Sequence, residues 1–331
     1  MKKKIALVTG GAGFIGSNLV DQLVKMGHKV TVLDNFSTGR RSNLSHHKKK
    51  NVKIIKLDIS ENRKLDKYFE GVDYVFHLAG LADIVPSIKN PKKYFMSNVL
   101  GTFKIIEAAK KAKIKKLIYA ASSSCYGIPK NYPTSENAQI DTKHPYALTK
   151  FLGEKLVMHY ASIFNMPNVS LRFFNVYGSR SRTTGAYGAV FGVFLAQKLA
   201  KKPLTIVGRG NQTRDFIHVD DLVNVLIKIA KSSLSNKIFN IGSGKETSVN
   251  KIADLFGGEK VFIPKRPGEP NRSCADISKI KSNIDWEPKI TIEEGTKRLL
   301  ENINDWKNAP VWTPKTIKFA TKEWFKILSK N

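Results

Sequence analysis

One short stretch constrains this chain more than any other: Thr9-Gly10-Gly11-Ala12-Gly13-Phe14-Ile15-Gly16, which follows an apolar, strand-like run and opens a helical pattern. Glycines at 10, 13 and 16 permit a tight turn, a close backbone approach to a bound group, and close packing of helix on strand. The free N–H groups at a helix start, with the helix dipole, favour an anion, so the spacing predicts a dinucleotide pyrophosphate here. Glycine triplets also arise by chance, and the surroundings decide the matter. A strand precedes, a helix follows, and a second strand ends in Asp34, 18 residues past Gly16. An acid at that place accepts hydrogen bonds from ribose hydroxyls and repels a 2′-phosphate, which predicts NAD rather than NADP. Arg40 and Arg41 would suit such a phosphate, but Asp34 sits at the strand end itself. Asp58-Ile59, ending the third strand, either meets the adenine or caps its own strand.

Beyond this motif, apolar runs alternate with helix-period segments. Strands are expected at Lys4–Thr9, Lys29–Leu33, Val52–Leu57, Tyr74–Leu78, Lys116–Ala120 and Val169–Phe174, and helices at about 14–26, 61–70, 94–112 and 145–165. That order predicts an α/β fold, a doubly wound parallel Rossmann sheet with a smaller, interleaved, mixed α/β C-terminal lobe. The NAD-binding domain is assigned to 1–178, with a later segment near 212–242 returning to it. Residues 179–331 are assigned mainly to substrate binding and C-terminal helices.

Composition excludes several classes. The 331 residues hold 41% hydrophobic and 25% charged side chains, enough for a large core and unlike a disordered chain. No run approaches the ~20 apolar residues of a membrane span, and the basic, briefly apolar N-terminus reads as a strand rather than a signal peptide. Cys125 and Cys274 make no disulfide framework and fit a reducing, cytoplasmic setting. The net charge of +29 invites a nucleic-acid partner, yet of 56 basic residues only 11 are Arg, and the lysines are scattered. Without a stacking platform or a helix-turn-helix pattern, a Lys-rich solvated surface is the better account, and no nucleic-acid partner is expected.

Tyr146 and Lys150 stand at i and i+4, on one face of a predicted helix. A cation near a phenol, joined by a positive nicotinamide ring, is expected to draw the Tyr pKa toward neutrality. Upstream, the fifth strand runs into Ser122-Ser123-Ser124, where α/β sheets present ligand-contacting side chains.

These motifs together resemble the extended short-chain dehydrogenase/reductases of the nucleotide-sugar epimerase/dehydratase group. The resemblance runs from the glycine turn through Asn98-Val99-Leu100-Gly101-Thr102, Ser122-Ser123-Ser124, Tyr146-x-x-x-Lys150 and Arg172-Phe173-Phe174-Asn175. It continues through Arg214-Asp215-Phe216-Ile217-His218 and Arg266-Pro267-Gly268-Glu269, covering essentially the whole chain. It implies NAD as cofactor and a UDP-sugar as substrate. By resemblance Tyr146 is the base, Lys150 holds the nicotinamide ribose and tunes Tyr146, and Ser122 binds the reacting O4. Gly10, Gly13, Phe14, Ile15, Gly16, Asp34, Asn35, Ser37, Asp58, Ile59, Leu78, Ala79, Gly80 and Asn98 would hold the cofactor with Tyr146 and Lys150. Asp83, Ser123, Ser124, Asn175, Arg214, Arg266 and Ser273 would face the substrate, the two arginines clamping its diphosphate or else forming surface salt bridges.

Similar dehydratases place an Asp-Glu pair after the catalytic hydroxyl, and similar decarboxylases carry a Glu nearby. Here Ser123, Ser124 and Cys125 stand there, so the resemblance implies 4-epimerisation through a 4-keto sugar. Ser273 aligns with the residue that gates the pocket beside C2, and a small gate admits an acetamido group. UDP-N-acetylglucosamine and its galacto epimer are therefore the first expectation. A uronate 4-epimerase, a decarboxylase, a 4,6-dehydratase, or a non-catalytic NAD-binding regulator are the alternatives. Asp83 either faces the sugar, repelling a carboxylate, or points to solvent, while Arg180 and Arg182 would attract one. No metal is expected, because none of the seven His falls near carboxylates in a ligand pattern. Trp306, Trp312 and Trp324 read as packing or a partner surface, and the segments 94–112 and 145–165 resemble those that form a homodimer.

Overall fold

The computed structural model describes residues 3–61, 64–181 and 190–328. Strands β1 (Ile5–Thr9), β2 (Lys29–Asp34), β3 (Val52–Lys56), β4 (Tyr74–His77), β5 (Lys116–Ser122) and β6 (Asn168–Phe173) form the first half. They alternate with helices α1 (Phe14–Lys25), α2 (Ile84–Lys89), α3 (Pro91–Phe95), α4 (Gly101–Lys111) and α5 (Pro145–Ile163). Then follow β7 (Asn175–Tyr177), α6 (Val190–Leu199), β8 (Leu204–Val207), β9 (Thr213–His218), α7 (Val219–Lys231), β10 (Lys237–Ile241), β11 (Glu246–Ser248), α8 (Val249–Phe256) and β12 (Lys260–Ile263). Helices α9 (Ser278–Asn283), α10 (Ile292–Glu301), α11 (Pro314–Ala320) and α12 (Lys322–Leu328) end the chain.

Seven strands make one parallel sheet in the order β10-β6-β5-β4-β1-β2-β3. Its strands send alternate side chains to opposite faces, and both faces of the central strands are covered, so their positions are predominantly apolar. Ala6, Val8, Val30, Val32, Ile118 and Ala120 meet α1 and α7 on one side. Leu7, Leu33, Val75, Leu117 and Tyr119 meet α4 and α5 on the other. Helix α7 shows how sequence sets such an element. His218 caps it by accepting from Asp220 N–H, acids occupy its first turn, Lys228 and Lys231 its last, and Leu222, Val225, Leu226 and Ile229 form the buried stripe.

The chain then interleaves: β9 pairs with β7 and β11 in a small sheet, whereas α7 and β10 return to the large one. A third core of Phe191, Phe194, Phe256, Tyr177 and Trp306 sits under the small lobe.

Two expected elements differ. Around 61–70 there is no α-helix, only a single 3₁₀ turn at Asp66–Tyr68 among the described residues. Leu65 and Phe69 are both buried, and one turn suffices to insert a pair at i and i+4 before Gly71 turns the chain. The segment 94–112 is helical but broken in pitch, with a π turn at Met96–Leu100 between α3 and α4.

Helix α5 lies so close to β5 that a Cβ on Gly153 would overlap the Tyr119 hydroxyl and sit 2.9 Å from the Asn98 carbonyl oxygen. Gly153→Ala is therefore expected to cost about 1–3 kcal/mol in urea unfolding, despite alanine's better helix propensity. Adding Tyr119→Phe should recover part of that loss, and an unchanged midpoint in Gly153→Ala would show that the contact has room.

Candidate active site

Two clefts open at the C-terminal ends of the parallel strands and share Ser122 and Tyr146. The first, about 570 Å³, begins at the glycine turn. Gly10 has φ +69°, and a Cβ there would lie 2.8 Å from the Ala79 amide nitrogen; a Cβ on Gly16 would overlap the Gly10 carbonyl. These glycines let α1 start against β1, and Gly13, its N-cap, leaves the first N–H groups without a side-chain partner.

Asp34 is buried, its carboxylate accepting from Ala12 N–H at 2.9 Å and Phe36 N–H at 2.7 Å. Burial raises its pKa, these two bonds opposing. Asn35 donates to Asp58 at 2.7 Å, and Asp58 also accepts from Ser60 N–H and Oγ. Burial would raise Asp58, but the bonds from Ser60 and Asn35 outweigh it and hold it below the usual range. Asp58 thus serves its own strand end while still lining the cleft with Ile59, Ser37, Leu78, Ala79 and Gly80. Arg40 reaches toward the Arg180 carbonyl at 3.5 Å and Arg41 stacks over Phe36 at 4.4 Å. Open donors facing a cradle that a Cβ would fill, with an oriented acid at its far end, fit NAD.

The wall at 78–81 is set from behind. His77 is fully buried between Thr9 Oγ1 at 2.7 Å and Thr102 Oγ1 at 2.9 Å, and burial first, then the Lys150 charge, depress its pKa to about 3. Ala79 N–H donates to Thr9 Oγ1. Asn98, expected at the cofactor, does not line either cleft. It is buried in the π turn, where Oδ1 accepts from Leu81 N–H at 2.8 Å and Nδ2 donates to Leu81 O and to Thr149. Its place is to shape the loop that carries Gly80.

At the junction, the Ser122 and Ser124 hydroxyls lie 2.8 Å apart, close enough to the Tyr146 phenol to favour its ionised form. Lys150, one turn on, is buried; its Nζ sits 4.4 Å over the Tyr119 ring, whose hydroxyl donates to the Lys150 carbonyl. Among the chain's own groups the balance keeps Tyr146 above its ordinary value. Burial raises it, Asp83 adds to the rise, and the nearby Ser122 and Ser124 hydroxyls only partly oppose it. Burial likewise lowers Lys150 from 10.5 to about 7, against an upward pull from Glu154. Desolvation outweighs the single cation that the chain supplies.

The second cleft, about 530 Å³, gathers Asp83, Ser122, Ser123, Ser124, Asn175, Arg214, Arg266 and Ser273. Asp83 is half-buried at the N-cap of α2 and faces the cleft, not open solvent. Arg214 is paired with Glu269 at 2.8 Å, so it forms a salt bridge and lines the cleft at once. Arg272, missed entirely, lines the same wall, paired with Glu246 at 2.6 Å and stacked on Tyr132. Neither cysteine lines a cleft; burial raises Cys125 to about 12 and Cys274 to about 11.

Two further expectations are corrected. Arg180 lines the dinucleotide cleft and pairs with Asp21 at 2.7 Å, so it does not face the sugar side; Arg182 lies outside the described residues. His46 and His47 do meet a carboxylate, both placing Nε2 on Asp21 Oδ1 at 2.9 and 2.7 Å. The three residues tie the loop after β2 to α1, an encounter that a separation of 25 residues hid.

The model of the NAD-dependent epimerase/dehydratase family matches residues 6–242. The UDP-glucose 4-epimerase of Mycolicibacterium smegmatis is 34% identical over 309 residues, 89% of this chain and 97% of that protein. The structure of UDP-N-acetylglucosamine 4-epimerase from Methanobrevibacter ruminantium M1, in complex with UDP-N-acetylmuramic acid, superposes with a TM-score of 0.85 at 34% identity, covering 91% of this chain and 100% of that one. UDP-glucuronic acid 4-epimerase from Bacillus cereus, in complex with UDP-glucuronic acid and NAD, gives 0.84 at 33% identity, with 91% and 99% covered.

With Lys150 near 7 in the fold, the unfolded chain binds a proton that the folded protein refuses up to 10.5. The penalty is complete below pH 7 and fades as pH rises through that window. In protein freed of NAD, Lys150→Met is expected to raise the urea midpoint at pH 7, with an advantage over wild type that shrinks by about pH 9.5. An advantage independent of pH would remove the buried charge as its cause.

Proposed function

This chain belongs to the NAD-dependent epimerase/dehydratase family, and on that footing we propose that it epimerises a UDP-sugar at C4, with UDP-N-acetylglucosamine and UDP-N-acetylgalactosamine as first substrates. The observation that carries the proposal is the shared mouth of the two clefts, where Ser122 and Tyr146 face both and the next positions are Ser123, Ser124 and Cys125. That junction offers a proton acceptor at O4 but lacks the adjacent acid pair that elimination of water would use.

Bound in the first cleft, NAD would supply the hydride acceptor and donor that the reaction at C4 needs. Tyr146 takes the O4 proton, and the Ser122–Ser124 pair orients O4 and shares that proton. Lys150, held over the Tyr119 ring, offers its ammonium to the nicotinamide ribose. A keto sugar must then turn over within the cleft and present its other face. Volume on the substrate side and a small residue, Ser273, support such a turn and leave space for an acetamido group. Arg214 and Arg266 lie where a diphosphate would pass, with Glu269 positioning Arg214. Asp83, whose charge the Tyr146 phenol senses, disfavours a uronate carboxylate beside the reacting centre.

A homodimer accompanies this proposal. Phe95, Phe103, Leu148, Ile163 and Phe164 are exposed along α3, α4 and α5, an apolar surface of the kind that a second copy covers. Sedimentation at twice the chain mass would support it, and a monomer at micromolar concentration would remove it.

Purified protein incubated with UDP-N-acetylglucosamine, without added NAD, should show the galacto epimer growing in the H4 and anomeric NMR signals. Tyr146→Phe should reduce turnover by about 10³-fold or more while the NAD content stays unchanged. Absence of any epimer, with NAD added as well, would sink the acetamido assignment. Full activity in Tyr146→Phe would remove the phenol from its role.

A further inference from the structure

Residues 302–328 do more than pack on the small lobe. Trp306 is buried in its core, and the Trp312 carbonyl accepts from Gln197 of α6 at 2.7 Å. From there a fresh helix starts on a capping box, Thr313 with Thr316, followed by Pro314. Helices α11 and α12 each add a residue to the lining of the second cleft, and α12 packs against α2 of the large domain. Ile317 and Trp324 are both buried and both line that cleft. The Trp324 indole N–H is fixed by the Pro267 carbonyl at 2.7 Å, next to Arg266. Beside α12, α2 starts after its N-cap Asp83 and contributes Ile84 to the same lining.

We propose that Trp324, supported by Ile317, is a specificity-determining residue that forms an apolar wall against the sugar of the substrate rather than its nucleotide. The inference rests on the proposed function. Ile84, Ile317 and the ring of Trp324 offer no free donor to a diphosphate or a uracil, since the one indole N–H is already taken. They do suit the apolar parts of a neutral sugar, such as a pyranose C–H face, an acetamido methyl or a C6 methylene. The wall exists only because the C-terminal helices bridge from α6 to α2, so the segment that completes the sugar site lies outside the β-sheets.

Binding is read by calorimetry in the NAD-loaded Tyr146→Phe protein, so turnover plays no part. The ligands are UDP and UDP-N-acetylglucosamine. Adding Trp324→Ala is expected to weaken UDP-N-acetylglucosamine by about tenfold while changing UDP less than about twofold. Trp324→Phe, which keeps the ring and drops the N–H, should retain most of the affinity. Phe319→Ala, at a side chain 82% exposed on α11, should change neither ligand. Equal weakening of both ligands, or of neither, overturns the wall, and should Trp324→Ala not fold, Ile317→Ala carries the same comparison. A parent protein that gains nothing from the sugar over UDP overturns both this inference and the proposed function. A parent that gains from the sugar, in a wild type that makes no epimer, removes the proposed function alone.

Discussion

Arg172 on β6 and Glu154 on α5 meet in the interior, 5% and 2% exposed, with Nη2 2.6 Å from Oε1 and Nε on the same carboxylate. Taking both charges out of water costs several kcal/mol, and the pair repays this only where the remaining hydrogen-bonding groups also find partners. They do. Arg172 Nη1 donates to the Tyr126 hydroxyl at 2.8 Å and to the Glu136 carbonyl, Tyr126 donates to Asn240, and Ser170 donates to Glu154. The network joins β6, β10, helix α5 and the loop after Ser122. Charged partners tolerate little displacement at low dielectric, so this pair fixes the relative placement of the two segments that carry Ser122 and Tyr146.

The same helix turn explains Lys150. Tyr146, Lys150 and Glu154 fall at successive i+4 positions, so one face of α5 carries the phenol, the ammonium and the anchoring acid in a line. Gly153 lets that helix press on β5, bringing the Tyr119 ring under the Lys150 ammonium. Structural and chemical demands therefore coincide on a few residues: the acid that holds the helix also keeps the lysine from losing its proton altogether.

What could be read from the sequence was what is local. The glycine turn, the strand-end acid, the i and i+4 pair and the serine run each carry their meaning within a few residues, and the structure gathers them along one sheet edge. The alternation of apolar runs likewise foretold the parallel sheet, because both faces are buried and little besides β-branched and aliphatic side chains satisfies that. What stayed hidden depends on contacts between distant segments. Asn98 looked like a cofactor residue, but a π turn aims it at Leu81; Arg180 is drawn to Asp21, and His46 and His47 converge on that same acid. At 61–70, two apolar side chains in helical spacing needed only one turn to reach the core. The C-terminal tryptophans gave only bulk and no direction, since nothing in their spacing says that the chain crosses to α2.

The phenol at the junction shows most clearly why site residues and site chemistry are legible to different degrees. Residue types placed Tyr146 and Lys150 together, but whether a phenol ionises depends on the balance between desolvation and nearby charge, and that balance is a property of the fold. Here burial moves both groups toward their neutral forms, Tyr146 upward and Lys150 downward, and Asp83 pushes Tyr146 the same way. The Ser122 and Ser124 hydroxyls oppose the shift without reversing it. Within the chain alone, then, the neutral phenol is the favoured form. Further positive charge close to the ring is what tips it toward phenolate, and an oxidised nicotinamide carries such a charge. Under the proposed function, the strength of Tyr146 as a base would follow the charge of the bound cofactor, which would couple the proton's departure to the hydride's through the electrostatics of one junction.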